Sequence, residues 1–507
     1  MSLHEKIAQL FILGFWGDKP SGVLERFLAL GLGGVIFFRD NFQNLKHPDE
    51  VRGLLDRINV QVPTHLPQPF LSIDQEGGQV ERLPYGLFPS TVTPRAIALS
   101  KHPEALAQNV YTLMAENLVN LGFNLTYFPT LDVNLNNQNP VIGVRSFGDD
   151  PETVWRLSQI AMRCYATQGL ITVGKHFPGH GNGTVDSHDK LPVLKFTQTE
   201  LEGFQKAIEN NLPTIMLAHG LYPGLQPEDE IKNNIPASAS PFVIKNLLRK
   251  QCGFNSLVMT DDLCMGAVLG STPEEVALRA LEAGADMLLY RQSTGSEWRV
   301  FEAVVEAVKS GQILETRLDE SLARIAQVKA RMTTVPYRRP DMHTLQQHAR
   351  NIAEQSLTLL TGSFSDTEKH QKNMLLVHPD RAAIPNYAFD QDSSPELPDC
   401  FRALGVLPAA EICYKPQQVT KLPDELSAVK AIVFVAFNAI RDSAQIRLYQ
   451  QLRQAYSAET PITVVSVGTP DDMSVLPGAD AYWAACSYRP PVMEAIGNVL
   501  SGKLPTG

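Results

Sequence analysis

Ile171-Thr172-Val173-Gly174-Lys175-His176-Phe177-Pro178-Gly179-His180-Gly181-Asn182-Gly183-Thr184-Val185-Asp186-Ser187-His188 opens on a short apolar run and closes on a polar, glycine-rich loop. A run that is apolar throughout, rather than on alternate residues, is the pattern of a strand buried on both faces, as in a parallel sheet. It stops at the charged pair Lys175-His176, and Pro178-Gly179 argues against a helix in the loop. The same pattern recurs at Phe11–Phe15, Gly34–Phe38, Phe70–Asp74, Leu125–Thr130, Thr214–His219, Ser256–Asp261 and Ala285–Tyr290. The stretches between them carry apolar residues at three and four spacing, as in 105–113 and 301–308, which predicts helices. Eight strand–helix units predict an α/β fold closed into a (β/α)8 TIM barrel rather than an open doubly wound sheet.

Polar residues stand where the apolar runs end: Arg39, Asp74, Asp132, Lys175 with His176, His219, Asp261 and Arg291. Any strand end meets water, so one such residue says little. The C-terminal strand ends of a barrel converge on one face, however, and the repetition predicts a common pocket there.

Beyond the barrel, Thr333-Thr334-Val335-Pro336-Tyr337-Arg338-Arg339-Pro340-Asp341-Met342 reads as a linker, followed by a helix over 345–360. Short strands are expected near Met374–Val377, Ala431–Phe437, Thr463–Val467 and Ala481–Ala484. The expected organisation is a catalytic barrel over 1–335, a linker and connecting helix over 336–360, and a smaller C-terminal α/β sandwich domain over 361–507 with a parallel sheet. Residues 379–400, rich in Pro, Asp and Ser, read as a surface excursion.

Composition narrows the function. The 507 residues are 44% hydrophobic and 19% charged, which excludes a disordered or fibrous chain. With 44 Lys+Arg against 54 Asp+Glu the net charge is −10, which argues against nucleic acid as the main partner and weakly against anionic membranes. Six scattered cysteines without a C-x-x-C pair suit a reducing compartment. Glu5 and Lys6 precede only a short apolar stretch, and no apolar run approaches the roughly 20 residues of a membrane helix, so the expectation is a cytoplasmic protein.

Four clusters can carry chemistry. In 175–188, His176, His180 and His188 read as zinc ligands, Gly179, Gly181 and Gly183 as a phosphate cradle, or Asp186 with His188 as an acid/base pair. The first needs a helix that Pro178-Gly179 disfavours, and the second lacks the lysine placement of a P-loop. In the third, a carboxylate on one imidazole nitrogen raises the basicity of the other. In 257–267 an apolar strand delivers Asp261, with Asp262 beside it, to the barrel mouth, where a carboxylate could ligate a metal, cap a helix or attack carbon. Asp74-Gln75-Glu76-Gly77-Gly78-Gln79-Val80-Glu81-Arg82 places Asp74 where it could hold hydroxyls, and Arg145 in Val141–Gly148 is either a ligand contact or a loop ion pair.

Taken in order, Asp74–Arg82 (DQEGGQVER), Val141–Gly148 (VIGVRSFG), Lys175–His188 (KHFPGHGNGTVDSH), Thr260–Ala267 (TDDLCMGA) and Ala283–Leu288 (AGADML) resemble the glycoside hydrolase family 3 barrel, and within it the β-N-acetylhexosaminidases. The resemblance covers roughly residues 3–330. It implies a retaining double displacement with Asp261 as nucleophile, His188 as general acid and then base, and Asp186 orienting His188. Asp74, Arg82, Arg145, Lys175 and His176 match the family's sugar-binding positions, and neither metal nor cofactor is implied. The implied activity is an exo-acting β-N-acetylglucosaminidase taking a small carbohydrate substrate, with muropeptide-derived sugars of cell-wall recycling as the class. A family β-glucosidase, an N-acetylglucosaminide phosphorylase or a non-catalytic carbohydrate-binding protein are the alternatives; intact Asp261, Asp186 and His188 argue against the last. Cys264 stands where serine is expected after TDDL, a small-for-small exchange, and the C-terminal part lacks the asparagine and Leu-Pro that usually follow a segment like Glu354–Leu360.

Overall fold

The computed structural model describes residues 1–20, 22–187, 190–266, 272–363, 373–383, 397–403, 408–420, 422, 429–456 and 459–503. Eight parallel strands close a barrel: β1 (Phe11–Leu13), β2 (Gly34–Phe37), β3 (Phe70–Ile73), β4 (Leu125–Thr126), β5 (Ile171–Phe177), β6 (Thr214–Leu217), β7 (Leu257–Asp262) and β8 (Met287–Tyr290). Each pairs with its neighbours in chain order, and β8 returns to β1 through Phe11 opposite Leu288. All eight expected runs therefore become barrel strands. The run expected at Leu125–Thr130 is cut to two residues because Pro129 offers no N–H to the ladder. Pairing resumes irregularly beyond it, with Leu131 N donating to Lys175 O at 2.7 Å.

The barrel is packed rather than hollow. Ile12, Ile36, Phe70, Tyr127, Val173, Met216, Met259 and Met287 fill its interior, while the outward-facing Phe11, Val35, Leu71, Ile215 and Val258 meet the surrounding helices. Side chains on both faces are apolar, which is why the strands read as unbroken apolar runs.

The second sheet has six strands: β9 (Thr358–Gly362), β10 (Met374–Pro379), β11 (Ala410–Tyr414), β12 (Ala431–Ala436), β13 (Ile462–Ser466) and β14 (Ala481–Ala484), in the order β9-β14-β13-β12-β10-β11. All neighbours are parallel except β9, which runs antiparallel to β14. This corrects two expectations. The sheet is mixed, and the helix expected over 345–360 is Met342–Ser356, which passes through the extended Leu357 straight into β9. Leu357, Leu359 and Leu360 fit a helical stripe and a strand equally well, and pairing with β14 decides between them. Most of the excursion expected over 379–400 lies outside the described residues.

Alternate residues on the sheet serve two cores. Ile432, Phe434 and Val464 pack under the helix Ser443–Ala455 through Leu448 and Leu452. Val433, Val435, Val465 and Trp483 belong to the same continuous core as the barrel. Arg489, 1% exposed, crosses this joint: it donates to Gly78 O (2.6 Å) and Gln79 O (3.3 Å) and lies 3.7 Å from Glu81. Among the described residues no helix is long and apolar enough to cross a membrane.

Candidate active site

The C-terminal ends of the barrel strands surround a pocket of about 830 Å³ that opens to solvent. Asp74, Arg82, Arg145, Lys175, His176 and Asp261 all line it. Asp74 follows β3, Lys175 and His176 lie near the end of β5, Asp261 near the end of β7, and Arg291 follows β8, so these polar strand ends converge on one site; the expected Arg39, Asp132 and His219 are not part of its lining.

At the floor is a nearly neutral ionic network. Lys175 Nζ donates to Asp74 (2.8 Å) and pairs with Glu76 (2.7 Å). Arg145 grips Glu76 with two bonds, Nε to Oε2 at 2.9 Å and Nη2 to Oε1 at 2.8 Å. Arg82 lies 3.6 Å from Asp74 and 5.3 Å from the Phe38 ring. Burial opposes ionisation of Glu76, but Arg145 and Lys175 outweigh it and hold the carboxyl at about 2. Burial likewise opposes the charge on Asp74, and Lys175 with Arg82 brings its pKa below the ordinary value. The pKa of Arg145 is raised: burial works against its charge, and Glu76 overcomes that. Of the two readings its sequence position allowed, Arg145 makes the ion pair, and it also lines the pocket.

Glu76 was not singled out from sequence. It sits two residues after Asp74 on the hairpin Gln75–Gly77 and Val80–Glu81, and its partner Arg145 is 69 residues away. The D-x-E spacing on a turn with adjacent glycines was the available signal.

His176 turns Nδ1 to Asp132 Oδ2 at 2.7 Å, and Asp132 also accepts from the backbone N–H groups of His176 (3.1 Å) and His180 (2.7 Å). Burial resists the charge on Asp132, yet His176 keeps its pKa below the ordinary range. This fixes the His176 ring and leaves Nε2 for the pocket. The zinc reading gains no support from the geometry: His176 sits on a strand, and its Nδ1 is committed to a carboxylate. Among the described residues no three His, Cys, Asp or Glu side chains are grouped to hold a metal. His180 lines the pocket with its pKa lowered to about 4 by burial, so the ring is neutral at pH 7.

On the other wall, Asp262 N donates to Asp261 Oδ1 at 2.8 Å, while Asp262 Oδ1 accepts from the N–H groups of Cys264 (3.0 Å) and Arg291 (2.9 Å). Both carboxylates line the pocket, and Asp262 in addition ties the loop together through these N–H groups. His219 bridges Ser238 Oγ (2.7 Å) and Asp262 O (3.0 Å) behind it, and burial lowers its pKa.

Asp186 is buried on the loop after β5, and its neighbour Ser187 forms that part of the pocket wall. His188 lies outside the described residues. The loop is held by close backbone contacts: Glu200 accepts from Gly181 N at 2.7 Å, and a Cβ at Gly181 would stand 1.6 Å from Val133 O. The C-terminal domain braces the opposite side. Arg441 Nη1 donates to Asn139 O at 2.8 Å, and Asn139 Nδ2 in turn donates to His180 O at 2.8 Å. Burial lowers the Arg441 pKa, opposed by the carboxylates of Asp472 and Asp186. The small domain therefore touches both the Glu76 hairpin and the loop leading to Arg145.

Comparison with known proteins agrees with this layout. Residues 2–328 match the N-terminal domain of glycosyl hydrolase family 3. The chain is 30% identical over 333 residues to beta-hexosaminidase A of Pseudoalteromonas piscicida, across 62% of this chain and 56% of that one. It thus spans little more than half the length of that relative. A beta-hexosaminidase of Alkalilimnicola ehrlichii is 35% identical over 269 residues, 51% of this chain and 73% of its own. Among solved structures, a glycoside hydrolase family 3 beta-N-acetylglucosaminidase from Paenibacillus sp. str. FPU-7 superposes with a TM-score of 0.85 at 30% identity, covering 99% of this chain and 97% of that one. The chain belongs to glycosyl hydrolase family 3, and the relatives it resembles are named beta-hexosaminidases and a beta-N-acetylglucosaminidase.

Proposed function

We propose that the protein is an exo-acting β-N-acetylglucosaminidase that works with retention through a covalent glycosyl-enzyme. Asp261 attacks the anomeric carbon. His188 protonates the departing oxygen and then takes a proton from the attacking water, with Asp186 orienting its ring. Asp74, Arg82, Arg145, Lys175 and His176 hold the hydroxyls and the N-acetyl group. The substrate class is muropeptide-derived N-acetylglucosaminyl sugars, met in the cytoplasm during cell-wall recycling.

The observation that carries the reading is the facing of Asp261 with the ionic floor across one pocket. Asp74 and Glu76 are neutralised by Lys175, Arg82 and Arg145, so the floor offers paired donors and acceptors suited to a neutral polyol rather than to an ion. The roles of His188 and Asp186 rest on the motif. Imidazole is the side chain whose ordinary titration range spans neutrality, so a histidine can transfer protons there without a second carboxylate. It also places less negative charge beside Asp261, so an anionic acceptor would be repelled less.

The test compares aryl β-N-acetylglucosaminide with aryl β-glucoside, each with and without inorganic phosphate. Phosphate-independent release from the first, well above the second, is expected. Preference for the glucoside would overturn the sugar assignment, and phosphate-dependent sugar 1-phosphate would make the enzyme a phosphorylase.

A further inference from the structure

We propose that Arg291 is a specificity-determining residue that recognises a carboxylate on the leaving-group part of the substrate. The proposal rests on the exo-glycosidase reading above and extends it to the outer end of the pocket.

Arg291 follows β8 and lines the pocket. Its backbone is fixed on several sides. Arg291 N donates to Asp262 Oδ1 at 2.9 Å, Gly14 N donates to Tyr290 O at 2.8 Å, and Ser293 Oγ donates to Gly14 O at 2.6 Å. A Cβ at Gly14 would lie 1.9 Å from Arg291 O, so this approach of β1 to the Arg291 segment requires glycine. The guanidinium, by contrast, is uncommitted. Among the described residues it makes neither a hydrogen bond nor an ion pair, and it lies over the Phe38 ring, 4.8 Å from its centre. The other three pocket cations are all engaged: Lys175 and Arg145 with Glu76, and Arg82 with Asp74.

Position gives this free charge a meaning. Lys175 and Arg145 are buried, whereas Arg291 is exposed. In an exo-acting enzyme the buried end takes the terminal sugar, so the exposed end faces what departs. A guanidinium resting on an aromatic face keeps its in-plane donors available for two parallel bonds, the geometry that suits a carboxylate. The chain carries a net charge of −10, so an anionic leaving group gains little general attraction and needs a local cation. One guanidinium balances one carboxylate; no second uncommitted cation lines the described part of the pocket to share a doubly charged phosphate.

The experiment uses two disaccharides with N-acetylglucosamine at the non-reducing end. They are identical except that the reducing sugar carries a free carboxylate in one and the corresponding carboxamide in the other. For the wild type, Arg291→Gln and Arg291→Lys, the quantity read is the ratio of kcat/KM on carboxylate to that on carboxamide. Arg291→Gln should lower this ratio about two- to fivefold, the range of an exposed ion pair. Arg291→Lys should recover part of it, and added salt should lower the wild-type ratio toward that of the Gln variant. An unchanged ratio in Arg291→Gln, whether both rates fall together or neither falls, would overturn the proposal. So would a loss confined to phosphate-dependent sugar 1-phosphate formation, since the anion would then be an acceptor. Wild-type inactivity on both disaccharides would instead overturn the exo-glycosidase reading, and this proposal with it.

Discussion

Replacing Glu76 by Gln keeps the shape of the pocket floor and removes the charge that binds Arg145 to Lys175. The wild-type carboxyl, ordinarily titrating at 4.5, is held at about 2. At 1.36 kcal/mol per pH unit, that difference corresponds to about 3 kcal/mol of folding stability. Because the folded pKa is depressed, the contribution is fully present above 4.5 and is lost as pH falls toward 2. Unfolding in urea, followed by intrinsic fluorescence over a pH series, should therefore show Glu76→Gln less stable by about 3 kcal/mol at pH 6. The gap should narrow below pH 4.5 and vanish near pH 2. The same substitution leaves Arg145 buried without its bidentate partner, and kcat/KM should fall at least about tenfold as the groups lining the pocket floor lose their positions. A stability gap that does not change with pH, or one below about 1 kcal/mol at pH 6, would refute the reasoning.

Other perturbations probe different parts of the molecule. His188→Ala should slow glycosides with poor leaving groups far more than aryl glycosides, by about 10²-fold or more, because good leaving groups need little protonation; equal losses on both would count against a general acid. Arg489→Met should cost about 3–5 kcal/mol, since it removes the buried cation beside Glu81 and the donor to the carbonyls of Gly78 and Gln79 at the joint between barrel and sheet; scanning calorimetry should show the loss and, with it, a separation of the two halves' transitions. Glu200 is pushed up to about 7, mainly by burial, so its ionisation costs stability as pH rises from 4.5 through 7. Glu200→Gln should accordingly be near neutral at pH 4.5 and stabilising by up to about 3 kcal/mol at pH 8, measured as the shift in urea midpoint between the two pH values.

The barrel was legible because its strands are covered on both faces, so Gly34–Phe37 or Leu257–Met259 needs no alternation to be recognised. The C-terminal sheet was less so. β11, Ala410–Tyr414, is an edge strand whose exposed Glu411 and Cys413 alternate with buried neighbours, and its five residues carry too little apolar signal to stand out. β9 was hidden inside a helical stripe that only its partner strand could resolve. In the pocket, Asp74, Lys175, His176 and Asp261 could be found because each ends or follows an apolar run. The pairing of Glu76 with Arg145, the bond of Asp132 to His176 and the role of Arg441 depend on contacts between segments far apart in the chain, and local pattern carries no record of those partners. The structural part played by Asp262 was likewise hidden in sequence: it spends Oδ1 on the N–H groups of Cys264 and Arg291.

The central claim is that Asp261 forms the bond to the sugar. Incubation with a slowly turned-over fluorinated N-acetylglucosaminide, followed by proteolysis and mass spectrometry, tests it directly. The account predicts one added sugar residue per chain, located on Asp261, and no labelling of Asp261→Ala. A sugar attached to another side chain, or complete turnover with inverted anomeric product and no adduct at all, would contradict it.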